Sequence, residues 1–400
     1  MTTASNAFPL EVCHFANSTT RAGAEEYMLG VLQRLDRQRF RPSLACPSSL
    51  IDLLTPDIPP DVNVFPVHIA RPTQFGELRR FSHFLRDRRV QIVHSHQFRA
   101  SLVASPTASL SGIPVTVETP HIREYWRAGW KANYAVDRIA GHFVSGYIAV
   151  SQANKRYLVD EKRLPANKIS VIPCGADLRP FTRQQSAGQA LRRELGISPS
   201  QPVLLVAGRL EPQKGHRYLL DAMPSIRVEF PGVLLFCVGE GSLISELQHH
   251  ARDLGVADAV RFVGYQRDMA RWYALADIVV LPSLFEGLPI TAIEAFASEK
   301  PMVATAVDGT PEIVVDGVTG LTVPSRDSTA LTHAIARLLH DPELRATFAR
   351  QGRELVERSF SIERMVEQIE TLYLRLWQAR TGTPIPQTDA APLPRMAEGI

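Results

Sequence analysis

Short apolar runs alternate with longer amphipathic stretches along the first half of the chain. The helical period of the amphipathic stretches is clearest over Ala24–Asp36 and Leu78–Arg89. The apolar runs predict buried strands at Leu10–Phe15, Ser43–Cys46, Gln91–His94, Val115–Glu118, Gly146–Val150 and Ile169–Ile172. Strands that alternate with helices are typical of a parallel sheet covered by helices. The pattern therefore predicts the α/β fold class.

A second set of such elements follows a break. The charged segment Arg183–Leu195, with Gly196 and Pro199 after it, is interpreted as the linker between two α/β domains that face a cleft. Strands are predicted at Val203–Ala207, Val233–Val238, Val260–Val263, Ile278–Leu281, Met302–Ala304 and Leu321–Val323. Helices are predicted at Tyr218–Phe230, Leu243–Leu254, Met269–Ala274, Ile290–Ala297, Ser328–His340, Pro342–Val356 and Ile362–Trp377.

The length of 400 residues also fits two domains. We expect an N-terminal domain over residues 1–186 and a C-terminal domain over 187–358. The last helix, within residues 359–380, is expected to pack back on the first domain. The proline-rich residues 381–400 are expected to form a disordered tail.

Composition indicates a soluble globular protein, with 45% hydrophobic and 21% charged residues, and we expect a cytoplasmic location. No apolar run reaches eighteen residues, and the N-terminus does not resemble a secretory signal. The four cysteines have no paired spacing, so free buried thiols in a reducing compartment are predicted for Cys13, Cys46, Cys174 and Cys237.

Charge is divided unevenly between the two halves. Residues 1–186 hold 23 Lys and Arg against 15 Asp and Glu, whereas residues 187–400 hold 21 against 26. A basic first half suggests an anionic partner, such as the inner face of a membrane or a phosphorylated acceptor. Uneven surface charge without any partner is the alternative.

The segment Pro282–Glu294 places two carboxylates across a loop and the start of a helix. Glu286 follows the apolar run Ile278–Leu281, and Pro289 suits the first turn of the helix that carries Glu294. Ligands of open α/β sheets bind at the carboxyl ends of the strands. Free helix N–H groups beside hydroxyl-binding carboxylates suit a ligand with both phosphate and sugar.

The loop Gly208–Gly215 follows the first strand of the second domain. Its two cations, Arg209 and Lys214, suit a diphosphate, because a guanidinium can hold two phosphate oxygens while an ammonium supplies a mobile charge. A solvated pair of surface cations is the alternative when the loop is taken alone. Glu286, 72 residues later and again after a strand, strengthens the first interpretation.

These motifs together resemble glycosyltransferase family 4. The resemblance covers about residues 10–375 and rests on Gly-Arg-(five residues)-Gly at 208–215, Val-Gly-Glu-Gly at 238–241, Phe-Val-Gly-Tyr at 262–265, Glu286 to Glu294, Gly-Thr-Pro-Glu at 309–312 and Gly-Val-Thr-Gly at 317–320. The family consists of retaining, nucleotide-sugar-dependent enzymes with the GT-B fold. It implies two Rossmann-like domains that face a central cleft.

The resemblance also implies roles for residues of the second domain. Arg209 and Lys214 hold the donor diphosphate, and Glu294 accepts hydrogen bonds from the ribose. Glu286 contacts the transferred sugar. The rest of the implied donor pocket consists of Glu240, Gly241, Tyr265, Gln266, Gly287, Leu288 and Pro289.

In the first domain, Gly23 lies between the first strand and first helix, where free N–H groups can face the diphosphate. The family has two adjacent glycines there, whereas this chain has Ala22 and Gly23. His121 matches the histidine that reaches the transferred sugar in the family. His94 and His96 also end a strand, and a structural role is the alternative for both.

Aromatic and basic residues alternate after His121. Lipid headgroups or a sugar acceptor suit the set Arg123, Tyr125, Trp126, Arg127, Trp130, Lys131 and Tyr134, and a solvated helix with core aromatics is the alternative. No residue spacing predicts a metal site, no cofactor is expected, and no nucleic acid is expected as a partner.

We therefore expect a glycosyltransferase that uses a nucleotide-sugar donor and a glycan or lipid-linked acceptor, in polysaccharide or glycolipid synthesis. A sugar-nucleotide epimerase of the same fold and a non-catalytic nucleotide-sugar-binding subunit are the alternatives. The base, the sugar, the acceptor and the oligomeric state do not follow from the motifs.

Overall fold

A computed structural model of the chain describes residues 8–125, 133–182 and 184–384. The first domain contains a parallel seven-stranded sheet with the order β3-β2-β1-β4-β5-β6-β7. Its strands are β1 (Leu10–Phe15), β2 (Phe40–Cys46), β3 (Asn63–Pro66), β4 (Ile92–His96), β5 (Val115–Thr119), β6 (Gly146–Ala149) and β7 (Ile169–Val171). Its helices are α1 (Gly23–Arg34), α2 (Ser48–Leu54), α3 (Phe75–Asp87), α4 (Phe98–Leu110), α5 (Asn133–Ala140) and α6 (Gln152–Arg156).

The second domain repeats this plan with a parallel six-stranded sheet of order β10-β9-β8-β11-β12-β13. Its strands are β8 (Val203–Ala207), β9 (Leu234–Val238), β10 (Val260–Gly264), β11 (Ile278–Leu281), β12 (Met302–Thr305) and β13 (Gly320–Val323). The remaining helices are α7 (Gln185–Glu194), α8 (His216–Glu229), α9 (Ile244–Asp253), α10 (Met269–Leu275), α11 (Ile290–Ala297), α12 (Ser328–His340), α13 (Pro342–Ser359) and α14 (Ile362–Thr381). The predicted pair of parallel-sheet domains is confirmed.

The predicted linker is wrong over most of its length, because residues 185–194 form α7. Leu191 is buried in α7, and Gly188 lies so close to α10 that an added Cβ would be 2.5 Å from the carbonyl oxygen of Ala274. Sequence reasoning also missed β3, α2, α4, α5 and α6. Helix α4 is buried along much of its length, so it lacks the amphipathic period that identifies a surface helix. It also contains Pro106, a residue that usually argues against a helix.

The chain crosses between the domains twice, and the two crossings lie side by side. Ala176 donates its N–H to the carbonyl of Phe360 at 3.1 Å and accepts from Ile362 N–H at the same distance. Helix α14 then packs on the first domain. Its Glu370 accepts the N–H of Asp36 at 2.7 Å, and the ring of Trp377 lies 5.4 Å from that of Phe8.

All four cysteines are free and buried, as predicted. Burial raises the pKa of the Cys13, Cys46 and Cys174 thiols to about 12, which keeps these groups protonated. None of the helices within the described residues has the combination of length and apolar surface needed to cross a bilayer.

Candidate active site

The strand orders locate the site. In each sheet the order reverses beside the first strand of the domain, between β1 and β4 and between β8 and β11. Ligands of such sheets bind at the carboxyl ends of the strands at this point. The first turns of α1 and α11 meet across the cleft, because a Cβ on Gly23 would lie 3.8 Å from the side chain of Ile290.

The loops after β8 and β11 are joined to each other. Gln213 donates its amide to the Phe285 carbonyl at 3.0 Å, and Leu284 N–H donates to the Gln213 carbonyl at 2.7 Å. Gly215 has a φ of +63°, and a Cβ there would be 2.0 Å from the Pro282 carbonyl oxygen. Only glycine permits this backbone conformation and this close approach. These contacts fix Lys214 beside the second loop.

Lys214 and Glu286 form a partly buried ion pair, with 2.6 Å between Nζ and Oε1. The same carboxylate oxygen accepts the Ser283 hydroxyl at 2.7 Å, and Glu286 is only 5% exposed. The resemblance implies a diphosphate role for Lys214 and a sugar role for Glu286, and the ion pair joins these two residues directly. Arg209 is exposed, and its guanidinium lies 3.4 Å from the Gln213 side-chain oxygen.

Glu294 lies just inside α11, where the sequence predicted it. Its Oε2 accepts the Tyr273 hydroxyl at 2.8 Å. Burial raises the pKa of the Glu294 carboxyl to about 7, although the hydrogen bond from Tyr273 opposes the shift. Tyr273 is a fully buried residue of α10, and no signal in the sequence identified it as part of the site. Leu288 is buried beside this helix start, and Pro289 occupies the N-cap position of α11 with an extended backbone.

Four other predicted donor residues lie at the ends of β9 and β10. The backbone nitrogen of Tyr265 is 3.4 Å from Glu240 Oε1, and the Tyr265 side chain is exposed. Gly241 packs so closely against the Leu210 backbone that a residue with a side chain would not fit there. The Gln266 amide binds within the domain: it donates to the Val263 carbonyl at 2.8 Å and accepts from the Trp272 indole at 3.2 Å.

The first domain presents a line of buried histidines. His96 lies between His14 and His121, with ring nitrogens 3.0 Å and 3.2 Å apart. Burial lowers the pKa of His14 and of His121 to about 3, so both imidazoles are neutral near pH 7. Sequence reasoning missed His14, which sits within a buried strand. Its position beside the β1/β4 reversal is the signal that identifies it.

Both ring nitrogens of His94 are hydrogen-bonded inside the first domain, which favours the structural interpretation of this residue. Its Nδ1 is 2.5 Å from the Tyr373 hydroxyl of α14 and its Nε2 is 2.7 Å from the Thr119 hydroxyl. One nitrogen each from His14, His94 and His96 lies within 4.8 Å of the others, a grouping that a metal ion can use. In this arrangement the two His94 nitrogens are already occupied by hydroxyl groups.

Direct contacts close the cleft. A Cβ on Gly287 would lie 1.7 Å from the His121 carbonyl oxygen, so the two loops touch through their backbones. Asp308 joins them further: it accepts the Tyr125 hydroxyl at 2.8 Å and the Glu286 N–H at 3.0 Å. Asp308 follows β12, so the strand-end rule that identified Glu286 also applies to it.

A second contact between the domains involves Glu312. Its two carboxylate oxygens accept the N–H groups of Gln152 and Ala153, each at 2.8 Å. These are the first N–H groups of α6 in the first domain, and a carboxylate suits a helix N-terminus. The motif at 309–312 therefore connects the second domain to the first.

A buried charge cluster supports the loop that carries His121. Lys162 is 1% exposed and lies 2.7 Å from Glu124 and 2.7 Å from Asp137. Burial opposes the positive charge, but Glu124, Asp137 and Glu118 together raise the pKa of the Lys162 ammonium. Of the rest of the predicted aromatic and basic segment, Trp126, Arg127, Trp130 and Lys131 lie outside the described residues, whereas the ring of Tyr134 lies 6.4 Å from that of Tyr157.

Comparison with known proteins agrees with this architecture. The model of the Glycosyltransferase Family 4 matches residues 21–179, and the model of the Glycosyl transferases group 1 matches residues 188–355. The UDP-Gal:alpha-D-GlcNAc-diphosphoundecaprenol alpha-1,3-galactosyltransferase of Escherichia coli is 25% identical over 377 residues, which is 91% of this chain and 97% of that protein. The D-inositol 3-phosphate glycosyltransferase of Segniliparus rotundus is 34% identical over 279 residues, which is 66% of this chain and 62% of that protein.

Solved structures show the same fold. Anabaena Alr3699/HepE in complex with UDP superposes with a TM-score of 0.81 at 22% identity, over 91% of this chain and 100% of that one. Sucrose-phosphate synthase from Thermosynechococcus elongatus gives 0.78 at 23% identity, over 92% and 100%. The two matching family models together span most of both domains. The chain belongs to glycosyltransferase family 4 and is a glycosyltransferase with the GT-B fold.

Proposed function

We propose that this enzyme transfers a sugar from a nucleoside-diphosphate sugar to a hydroxyl of a glycan or glycolipid, with retention of the anomeric configuration, in cell-surface polysaccharide or glycolipid synthesis. The observation that carries the proposal is the Lys214–Glu286 pair, which joins the loops after β8 and β11 opposite the His121 loop. The relative from E. coli, named for transfer to a lipid diphosphate sugar, supports this class of acceptor.

In this proposal the diphosphate lies between the first turns of α1 and α11. The charge that develops on the leaving phosphate is stabilised by the cations Arg209 and Lys214. The dipoles of the two helices, and the free N–H groups in the first turn of α1 that begins at Gly23, stabilise it further. Glu294 binds the ribose, and His121 and Glu286 contact the transferred sugar. The remaining donor pocket consists of Glu240, Gly241, Tyr265, Gln266, Gly287, Leu288 and Pro289. No metal ion takes part.

The chemical step is proposed to occur on one face of the sugar. The bond between the anomeric carbon and the diphosphate oxygen breaks, and the acceptor oxygen bonds to that carbon from the same side. The acceptor proton passes to the departing phosphate, so no protein nucleophile is needed. Closure of the cleft excludes water and limits hydrolysis of the donor.

A panel of UDP- and GDP-sugars tests the proposal. A bound donor raises the melting temperature. Transfer to N-acetylglucosaminyl diphosphoundecaprenol, or slow donor hydrolysis without it, is the expected activity. Proton coupling at the new anomeric centre reports retention. A donor epimer formed without acceptor would establish the epimerase instead, and donor binding without transfer or hydrolysis would establish a non-catalytic subunit.

We also propose that the first domain contacts an anionic membrane at the cytoplasmic face. The support is the surplus of 23 Lys and Arg over 15 Asp and Glu in residues 1–186. Each basic side chain near such a surface contributes about 1 kcal/mol, and salt weakens the contact. Co-sedimentation with phosphatidylserine vesicles, for the wild type and a Trp126→Ala/Trp130→Ala variant, tests this. No binding at low salt would contradict it.

A further inference from the structure

Three histidines of the first-domain wall form a continuous chain of hydrogen bonds. His14 Nδ1 lies 3.0 Å from His96 Nε2, and His96 Nδ1 lies 3.2 Å from His121 Nε2. The paired rings are tilted by only 16° and 24°, and their centroids are 5.3 Å and 5.5 Å apart. At these separations the rings meet edge to edge through their nitrogens, as hydrogen bonds require, and are not stacked face to face. The chain therefore runs from a buried strand to the loop that faces the cleft.

Each hydrogen bond of this chain needs one N–H and one lone pair. Burial lowers the pKa of His14 and of His121 to about 3 and the pKa of His96 well below its ordinary value, so all three rings are neutral near pH 7. A neutral imidazole has one N–H and one lone pair. Two proton arrangements therefore satisfy both bonds: either every N–H is on Nδ1, or every N–H is on Nε2.

The buried end of the chain distinguishes these two arrangements. His14 Nε2 is buried and has no hydrogen-bond partner within the part of the chain that the structure describes. An N–H at that atom would be an orphaned buried donor, which native proteins rarely contain. A lone pair at His14 Nε2 places the N–H on Nδ1, and both bonds of the chain then run toward the cleft. His121 consequently accepts at Nε2 and has its N–H on Nδ1.

The open end of the chain is held in a fixed orientation. The His121 ring lies edge-on to the buried ring of Tyr27, at 84° with 4.9 Å between the centroids, and His121 is 8% exposed. The backbone φ of His121 is +67°, a conformation that a residue other than glycine keeps only where its surroundings hold it. Among the described residues, His96 is the one hydrogen-bond partner of the His121 ring. The Nδ1 atom of His121 is thus left for a ligand.

We propose that His14 and His96 are positioning residues that hold the N–H of His121 on Nδ1, so that His121 donates a hydrogen bond to an oxygen of the bound sugar. This role rests on the proposed transfer reaction, in which His121 contacts that sugar. His121 is then a donor and not a base, because the nitrogen left for the ligand already carries a proton. The proton of the acceptor hydroxyl accordingly goes to the departing phosphate.

Nuclear magnetic resonance of the full chain, labelled with ¹⁵N in its histidines, measures the proton positions directly. Spectra with and without UDP should show a protonated Nδ1 and an unprotonated Nε2 for His14, His96 and His121, which are assigned from single Asn variants. An N–H on His121 Nε2, or an average of the two tautomers, overturns the proposal. If the expected signals are present but no nucleotide sugar binds to the wild type, the transfer reaction is overturned instead.

Substitutions at His96 test the link to activity. His96→Leu removes the group that donates to His121, whereas His96→Asn retains an amide N–H near the place of Nδ1. His96→Leu should give mixed tautomers at His121 and lower kcat/KM for the nucleotide sugar at least tenfold, with the affinity for UDP changed less than twofold. His96→Asn should recover kcat/KM to within about threefold of the wild type. Equal activity of the two variants overturns the proposal.

Substitutions at His14 and His94 separate the chain from general packing. His14→Leu should lower kcat/KM about threefold, a smaller loss because His96 keeps its bond to His121. His94→Asn, which removes the bond to Thr119 outside the chain, is the matched buried control. It should lower the melting temperature but retain the wild-type signals of His121 and the wild-type kcat/KM. An equal loss of kcat/KM in His94→Asn overturns the proposal, and His14→Leu together with the wild-type spectrum decides if His96→Leu does not fold.

Discussion

The two walls of the cleft are built in different ways. On the second-domain wall, the loops that follow the neighbouring strands β8 and β11 are joined by backbone hydrogen bonds. They are also joined by a close glycine contact between Gly215 and Pro282. On the first-domain wall, His121 depends on buried polar side chains from distant segments, including His14 and Lys162. The first kind of wall depends mainly on backbone geometry and the second on side-chain pairing.

This difference predicts where substitutions act. Charged residues on the second-domain wall are proposed to contact the donor directly, so their loss should change activity more than stability. Charged residues behind the first-domain wall hold the loop in place, so their loss should change stability first.

Lys162→Met should give the largest loss of stability. The substitution leaves Glu124 and Asp137 without their buried cation, and breaking such a pair costs about 3–5 kcal/mol. Urea denaturation measures the free energy of unfolding. Lys155→Met, seven residues earlier in the same region, is the control. A loss below about 1 kcal/mol would remove the distinction between the walls.

Lys214→Ala and Arg209→Ala should each raise the barrier to transfer by about 2–4 kcal/mol, because each removes positive charge from the leaving phosphate. The fold should persist, as judged by circular dichroism. The measurement is kcat/KM with the best donor of the panel. Arg217→Ala, an exposed cation on α8, is the matched control. Near-normal turnover in both variants would disprove the diphosphate role.

Glu294→Ala should weaken UDP binding by about 1.5–3 kcal/mol, the usual range for hydrogen bonds to a charged group. Glu286→Ala should instead lower kcat, because its contact strengthens as the sugar reacts. Calorimetry and steady-state kinetics separate the two effects. Tyr273→Phe removes only the hydroxyl that binds Glu294 and should have a smaller effect. Unchanged UDP affinity in Glu294→Ala would contradict the ribose assignment.

The pH dependence of stability should reveal Glu118. Burial raises the pKa of this carboxyl from 4.5 to about 7 in the folded state. The folded state therefore binds the proton more strongly, so this residue makes stability fall as pH rises from about 4.5 to 7. Glu118→Gln should remove about 2.5 kcal/mol of that decline between pH 5 and pH 8. Denaturation at pH 5 and pH 8 compares the two proteins, and parallel declines would contradict the assignment.

Chelation should have the smallest effect. Because Arg209, Lys214 and two helix N-termini are expected to balance the leaving charge, transfer should continue in excess EDTA. The rate is measured before and after dialysis against the chelator. Complete loss that magnesium or manganese restores would disprove this account of the leaving group.

The same difference explains what the sequence could predict. Buried parallel strands are apolar runs, and Glu286 and Glu294 follow one such run, so their placement depended only on local pattern. His14 lies inside a strand and Lys162 resembles any solvated lysine, so their partners depend on tertiary structure. The contact of Gly287 with His121 depends on how the domains meet, which no local pattern specifies.

The paired crossings at Ala176 and Phe360 have a consequence for synthesis on the ribosome. The first domain receives its last core side chains, among them Tyr373 against His94, from residues that emerge after the whole second domain. Its folding is therefore completed only after the second domain and α14 have been synthesised. A hybrid enzyme that takes its second domain from a relative must therefore be fused at both crossings, near Ala176 and near Phe360. In that design α14 remains with the first domain, whose core it completes.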